Sequence, residues 1–142
     1  MPKPEKPTRE MVETRRLYQF EQVYMRDRVR RRSEVYLQRF ARKVWAKHGR
    51  KGARVPVVKL RPDIDMSWCI GFSLIELSVS GKTRGGFQHN TVEVLLHELV
   101  HAIGYRTHGR GFVRKYIELL VEYAGFDEGE LRLALGLFKI KS

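Results

Sequence analysis

The sequence predicts an α+β fold, on three observations. Apolar residues recur at three- and four-residue spacing from about Glu10 to His48, the period of a helix. From Ala53 to Ser80 β-branched residues and two-residue alternation take over, the period of strands. From Asn90 onward the helical period returns. The expected order is a long N-terminal helix, or two, then a small three-stranded sheet, an HExxH helix and C-terminal helices. The 142 residues suffice for one domain over 10–142, behind a flexible leader at 1–9 in which Pro2, Pro4 and Pro7 block regular structure.

In the first helical stretch Leu17, Phe20 and Tyr24 share a face, as do Val29, Tyr36, Phe40 and Val44. Tyr24, Tyr36 and Phe40 are therefore expected in the core. Nearly forty residues is long for one helix in a small domain, so a break near Asp27–Ser33 is the alternative. Gly49, after Lys47 and His48, supplies the stop. The three strands fall in "ARVPVVKL", "SWCIGFS" and "LIELSVS", antiparallel in part, with Gly71 marking a bulge and "SGKTRGG" (Ser80–Gly86) a loop. Asn90 followed by Glu93 predicts the cap of a helix from Thr91 to about Gly104. Another helix runs from about Gly109 to Ala124 and stops at Gly125. Asp127 and Glu130 cap a last short one ending near Phe138.

Composition narrows the function classes. No apolar run approaches the roughly 18 residues that span a bilayer. The polar start "MPKPEKPTRE" has no secretory apolar region, which predicts an intracellular, cytoplasmic protein. Cys69 is the one cysteine, which excludes an intrachain disulfide and a cysteine-rich zinc ribbon. The net charge of +12 attracts phosphate backbones, and "RDRVRRR" concentrates it on what reads as a basic helical face. Arg28, Arg30, Arg31 and Arg32 are the candidate nucleic-acid contacts.

The segment "VLLHELVHAIGYRTHG" (Val94–Gly109) carries three of the five histidines. Residues four apart lie on one helical face, so His97 and His101 can aim at one point and supply half of a tetrahedral zinc site. Glu98 sits about 100° further round the helix, placed to take a proton from metal-bound water rather than to ligate. A glutamate among leucines costs free energy unless it has a partner, and such a water is one. For the third ligand His108 comes first, because Gly109 and Gly111 allow a tight path back under the helix; Glu118 and Glu122 are the rivals. The metzincin pattern would need histidine at Thr107 and a later methionine, and neither is present.

At "HELVHAIGYRTHGRGF", followed by "VRKYIELL", the sequence resembles the SprT-like family of zinc metallopeptidases, which includes the Spartan proteases. The family pairs HExxH with a later HGxxF. The resemblance covers about residues 66–125 and is to a compact form without a zinc ribbon. It implies a minimal zincin-like architecture, one zinc per chain held by His97, His101 and His108, and Glu98 as the catalytic base. It also implies that "LIELSVS" pairs with an extended protein substrate. Tyr105, Arg106, His89, Arg114 and Tyr116 lie near enough in sequence to stabilise an oxyanion, and none stands out. Together with the charge, the resemblance suggests substrates bound to DNA or RNA. The residues leave two alternatives: a nucleic-acid-binding accessory protein with structural zinc, and a zinc hydrolase of non-peptide amides.

Overall fold

In the computed structural model, which describes residues 6–80 and 87–142, the first helix opens on Thr8. The Thr8 side chain accepts from the Met11 N–H, and α1 runs Arg9–Phe20. It continues into one π-helical turn, Glu21–Met25. The chain then leaves helical geometry until Ser33, whose hydroxyl caps α2 (Glu34–His48) through the Tyr36 N–H. The N-terminal region is thus two helices, broken across the stretch Asp27–Ser33. Leader residues 1–5 and the loop residues 81–86 lie outside the described set.

The break corrects the reading of "RDRVRRR" as a helical face. Arg28 to Arg32 form the connector between the two helices. It is pinned by backbone pairing: Arg32 N–H donates to the Asn90 carbonyl at 2.7 Å, and Asn90 Nδ2 donates to the Arg32 carbonyl at 3.0 Å. Tyr24 and Phe40 are half-buried, as the apolar stripe suggested. Tyr36 is not in the core: it is 41% exposed, with the Arg32 guanidinium over its ring. Gly49 ends α2, but in extended geometry rather than the left-handed one. Its role is steric. A Cβ there would lie 2.4 Å from the Trp45 ring.

Strands β1 (Val57–Arg61), β2 (Trp68–Ile70) and β3 (Leu74–Ser78) form a mixed sheet in the order β1-β3-β2. β3 is central, parallel to β1 and antiparallel to β2. "LIELSVS" is therefore no edge strand. Side chains of α2 cover the outer edge of β1. Val58 N–H donates to Gln38 Oε1 at 2.8 Å, and Leu60 N–H donates to Glu34 Oε2 at 3.0 Å. β2 is the other edge. Gly71 makes a tight turn rather than a bulge: Ser73 N–H donates to the Ile70 carbonyl at 3.2 Å, and both Gly71 and Phe72 have positive φ, at 55° and 64°.

α3 (Val92–Ile103) is capped by Thr91, whose hydroxyl accepts from the Val94 N–H; Asn90, the expected cap, holds the arginine connector instead. α4 (Arg110–Ala124) follows and ends at Gly125 in left-handed geometry (φ 74°). Asp127 accepts from the Glu130 N–H to cap α5 (Glu128–Leu137). One buried apolar cluster joins the elements, running from Leu17 and Phe20 through Val58, Ile75 and Leu77 to Leu96, Leu99, Phe112 and Leu120. No helix among the described residues is long and apolar enough to cross a membrane.

Candidate metal centre

His97 and His101 stand one turn apart on α3, where the helical rise carries both rings to the same side. His108 lies in the short segment between α3 and α4. Gly104 (φ 136°) turns the chain back so that His108 returns to the helix it has just left. The three Nε2 atoms converge: His108 Nε2 is 3.1 Å from that of His97 and 3.1 Å from that of His101.

The far side of each ring is held separately. His97 Nδ1 lies 2.7 Å from Glu21 Oε2, His101 Nδ1 2.7 Å from the Tyr105 carbonyl, and His108 Nδ1 2.8 Å from Thr14 Oγ1. A carbonyl only accepts, so His101 carries its proton on Nδ1 and turns a bare lone pair inward. The Glu21 carboxylate sets His97 the same way. The Thr14 hydroxyl accepts as well as donates, so it is compatible with the same tautomer for His108. Three lone pairs meeting at 3.1 Å would repel one another without a cation or a proton among them. A tetrahedral zinc with bonds of about 2.0–2.1 Å to nitrogen needs its donors roughly 3.3 Å apart, so the donor set and its spacing fit. Phe112, 1% exposed, packs its ring against all three imidazoles at centroid distances of 5.0, 4.7 and 4.8 Å. That contact gives the phenylalanine of "HGRGF" a physical reason.

Titration follows burial and charge. Burial lowers the His101 imidazole to about 4, with the charge of His97 adding to it. His108 is lowered further, by burial and then by both neighbouring histidines. Burial alone would lower His97 too, but the charge and hydrogen bond of Glu21 outweigh it and raise the pKa. Glu98 is 5% exposed among the leucines of α3. Burial pushes its carboxyl up to about 7, with His97 opposing and Glu21 reinforcing.

Glu98, His101 and His108 share a groove with Trp68 and Cys69 of β2 and with Arg106. The other sequence candidates are placed as follows. Glu118 and Glu122 turn to His48, Lys47 and Lys115, so neither joins the three histidines. Tyr116 is fully buried and donates to Glu21 at 2.8 Å, and His89 Nδ1 meets Ser67 Oγ at 2.7 Å. Tyr105 serves through its carbonyl, and Arg114 is exposed on α4 beside Glu118. Of the four connector arginines, Arg28 packs on Tyr24 and pairs with Glu130, Arg31 bonds Gln88, and Arg32 covers Tyr36. Arg30 is exposed.

Sequence reasoning missed Thr14, Tyr18 and Glu21, which reach the centre from α1 and its π-turn. Tyr18 stacks on His97 at 6.0 Å. A signal existed: the three residues are spaced i, i+4, i+7, a polar stripe beside the apolar one. Comparison with family models, with curated proteins and with solved structures gave no match.

Proposed function

We propose that the protein is a zinc-dependent metallopeptidase of the SprT-like kind. The observation that carries this reading is the convergence of three Nε2 atoms, each imidazole fixed from behind, beside a buried glutamate. Among the described residues this ligand group holds three histidines and no fourth protein donor. Structural zinc sites close their shell with four protein ligands, whereas catalytic ones keep a position open. That favours an enzyme over the structural-zinc alternative.

His97, His101 and His108 would hold one zinc ion per chain. Bound there, zinc supplies Lewis acidity toward a carbonyl oxygen and toward water. Glu98 takes a proton from the attacking water on its carboxylate and hands it to the departing amine. Its burial shields that proton from bulk solvent. Glu21, Thr14 and the Tyr105 carbonyl keep the imidazoles in the ligating tautomer. β2, not β3, is the strand against which an extended substrate would lie, because it is an edge strand and its Trp68 and Cys69 line the groove with Glu98. Arg106 lines the same groove and is the chain's candidate to stabilise an oxyanion. The +12 charge and the exposed Arg30 would hold the enzyme near nucleic acid and the proteins bound to it.

The test is cleavage of casein by zinc-loaded protein, with and without single-stranded DNA, beside Glu98→Gln. The expected result is cleavage that DNA stimulates and that disappears in the variant while zinc stays at one per chain. Zinc at one per chain with no cleavage in any arm would overturn the peptidase reading and favour a non-peptide amide substrate.

A further inference from the structure

A second cavity, of about 70 Å³, adjoins the groove at Glu98. Its walls are carbon-rich: Met25 from the π-turn, Val29 from the connector, Met66, Phe87 and Val94. The groove and this pocket share Tyr18, Met66, Ser67 and Glu98, so they meet at the glutamate. We propose that this pocket is a specificity subsite, which takes one aliphatic side chain of the substrate next to the scissile bond. The proposal rests on the peptidase reading above.

The geometry supports it from two directions. An extended chain along β2 has its side chains alternate to either side. With the reacting carbonyl at Glu98, a neighbouring side chain falls over the mouth of the pocket. The size then selects. A water needs about 10–15 Å³ of such space, so the cavity holds a handful of water-sized groups. That accommodates Val, Leu, Ile or Met and not an indole. Burying such a side chain against Met25, Val29 and Val94 favours binding in proportion to the apolar area covered. Glu21, Asp65, Glu93 and Glu98 also line the cavity, so an acidic side chain would meet like charge there, and a basic one is the competitor that the Lys peptide tests. The π-turn widens the helix where Met25 and Glu21 must face the site together, so one irregular turn furnishes both a pocket wall and the partner of His97.

The experiment maps cut sites in casein and in a peptide series that varies one residue beside the cut among Gly, Leu, Lys and Trp. It compares the zinc-loaded wild type with Val94→Phe and Val29→Phe, two separate narrowings of the pocket. Binding of the Leu and Gly peptides to Glu98→Gln is measured alongside, as a readout independent of turnover. The expected result is a Leu-over-Gly preference of about tenfold or more in kcat/KM, matched in binding, that both narrowed variants shift toward Gly. Cleavage without that preference, or with a preference that both folded variants retain, overturns the subsite and leaves the peptidase intact. Absence of cleavage by the wild type sinks the peptidase reading, and the subsite with it.

Discussion

Phe112 does the work of a keystone for three rings at once, and its removal should separate packing from ligation. Phe112→Ala deletes a fully buried ring and should cost about 3–5 kcal/mol of stability by urea unfolding. The same variant should weaken zinc, with Phe112→Leu restoring most of the stability and less of the affinity. The partners behind the imidazoles make a cleaner case. Thr14→Val keeps shape while removing the hydroxyl behind His108, Glu21→Gln keeps shape while removing the charge behind His97, and each should lower zinc affinity by roughly 10–100-fold in a chelator competition. Unchanged affinity would mean that the rings are held by packing alone. At this scale the convergence of the three histidines was legible, because HExxH spacing on a helix dictates a shared face and the glycines around His108 permit its return. Thr14 and Glu21 were not, since nothing local to α1 says that its polar stripe meets a histidine 76 or 94 residues away.

The bounds of α3, α4 and α5 were read to within a residue or two, because their stops and caps are local chemistry. Asp127 and Gly125 each act within one turn, whereas the break before Ser33 was only the alternative to one long helix. The sheet was harder. Strand order depends on pairings between segments, and periodicity alone cannot say which strand is central. β1 is the informative instance: Glu34 and Gln38 of α2 satisfy its outer edge, which leaves the edge role by the centre to β2. At this scale Gly49→Ala should destabilise the protein by about 1–3 kcal/mol, since the added carbon meets the Trp45 ring. A change under half of that would show that Trp45 moves freely. The connector offers a second test, on the proposed nucleic-acid reading. Arg30→Ala should reduce the salt slope of single-stranded DNA binding by about one phosphate contact. Arg28→Ala should change it less, because Glu130 and Tyr24 already engage that side chain.

For the molecule as a whole, hydrogen bonds on the sheet set a pH dependence on the acid side. On the outer side of the sheet Arg61 pairs with Asp63 and Glu76, and Trp68 Nε1 donates to Glu76. The Arg61 hydrogen bond holds Asp63 below the usual carboxylate range. Trp68 first, and then Arg61, do the same for Glu76. Both acids are more acidic folded than unfolded. Their contribution is complete above the unfolded carboxylate range, near pH 4, and disappears as pH falls through the folded values. Urea midpoints measured from pH 6 to pH 2.5 should therefore drop more steeply for the wild type than for Arg61→Gln. Parallel curves would remove this network from the account. The overall class was legible because three periodicities follow one another along the chain. The meeting of α1 and its π-turn with His97 and His108 was not, being a matter of long-range packing.

That meeting has a consequence in time. Glu21 and Thr14 stand behind histidines 76 and 94 residues away in the sequence, so the centre is finished only when α1 and its π-turn have met them. Closing so long a loop is slow relative to forming the α3–α4 hairpin, which already carries all three ligands. A refolding chain should therefore capture zinc in two phases, an early loose grip by the hairpin and a later tightening as α1 docks. The second phase should vanish in a Thr14→Val, Glu21→Gln double variant.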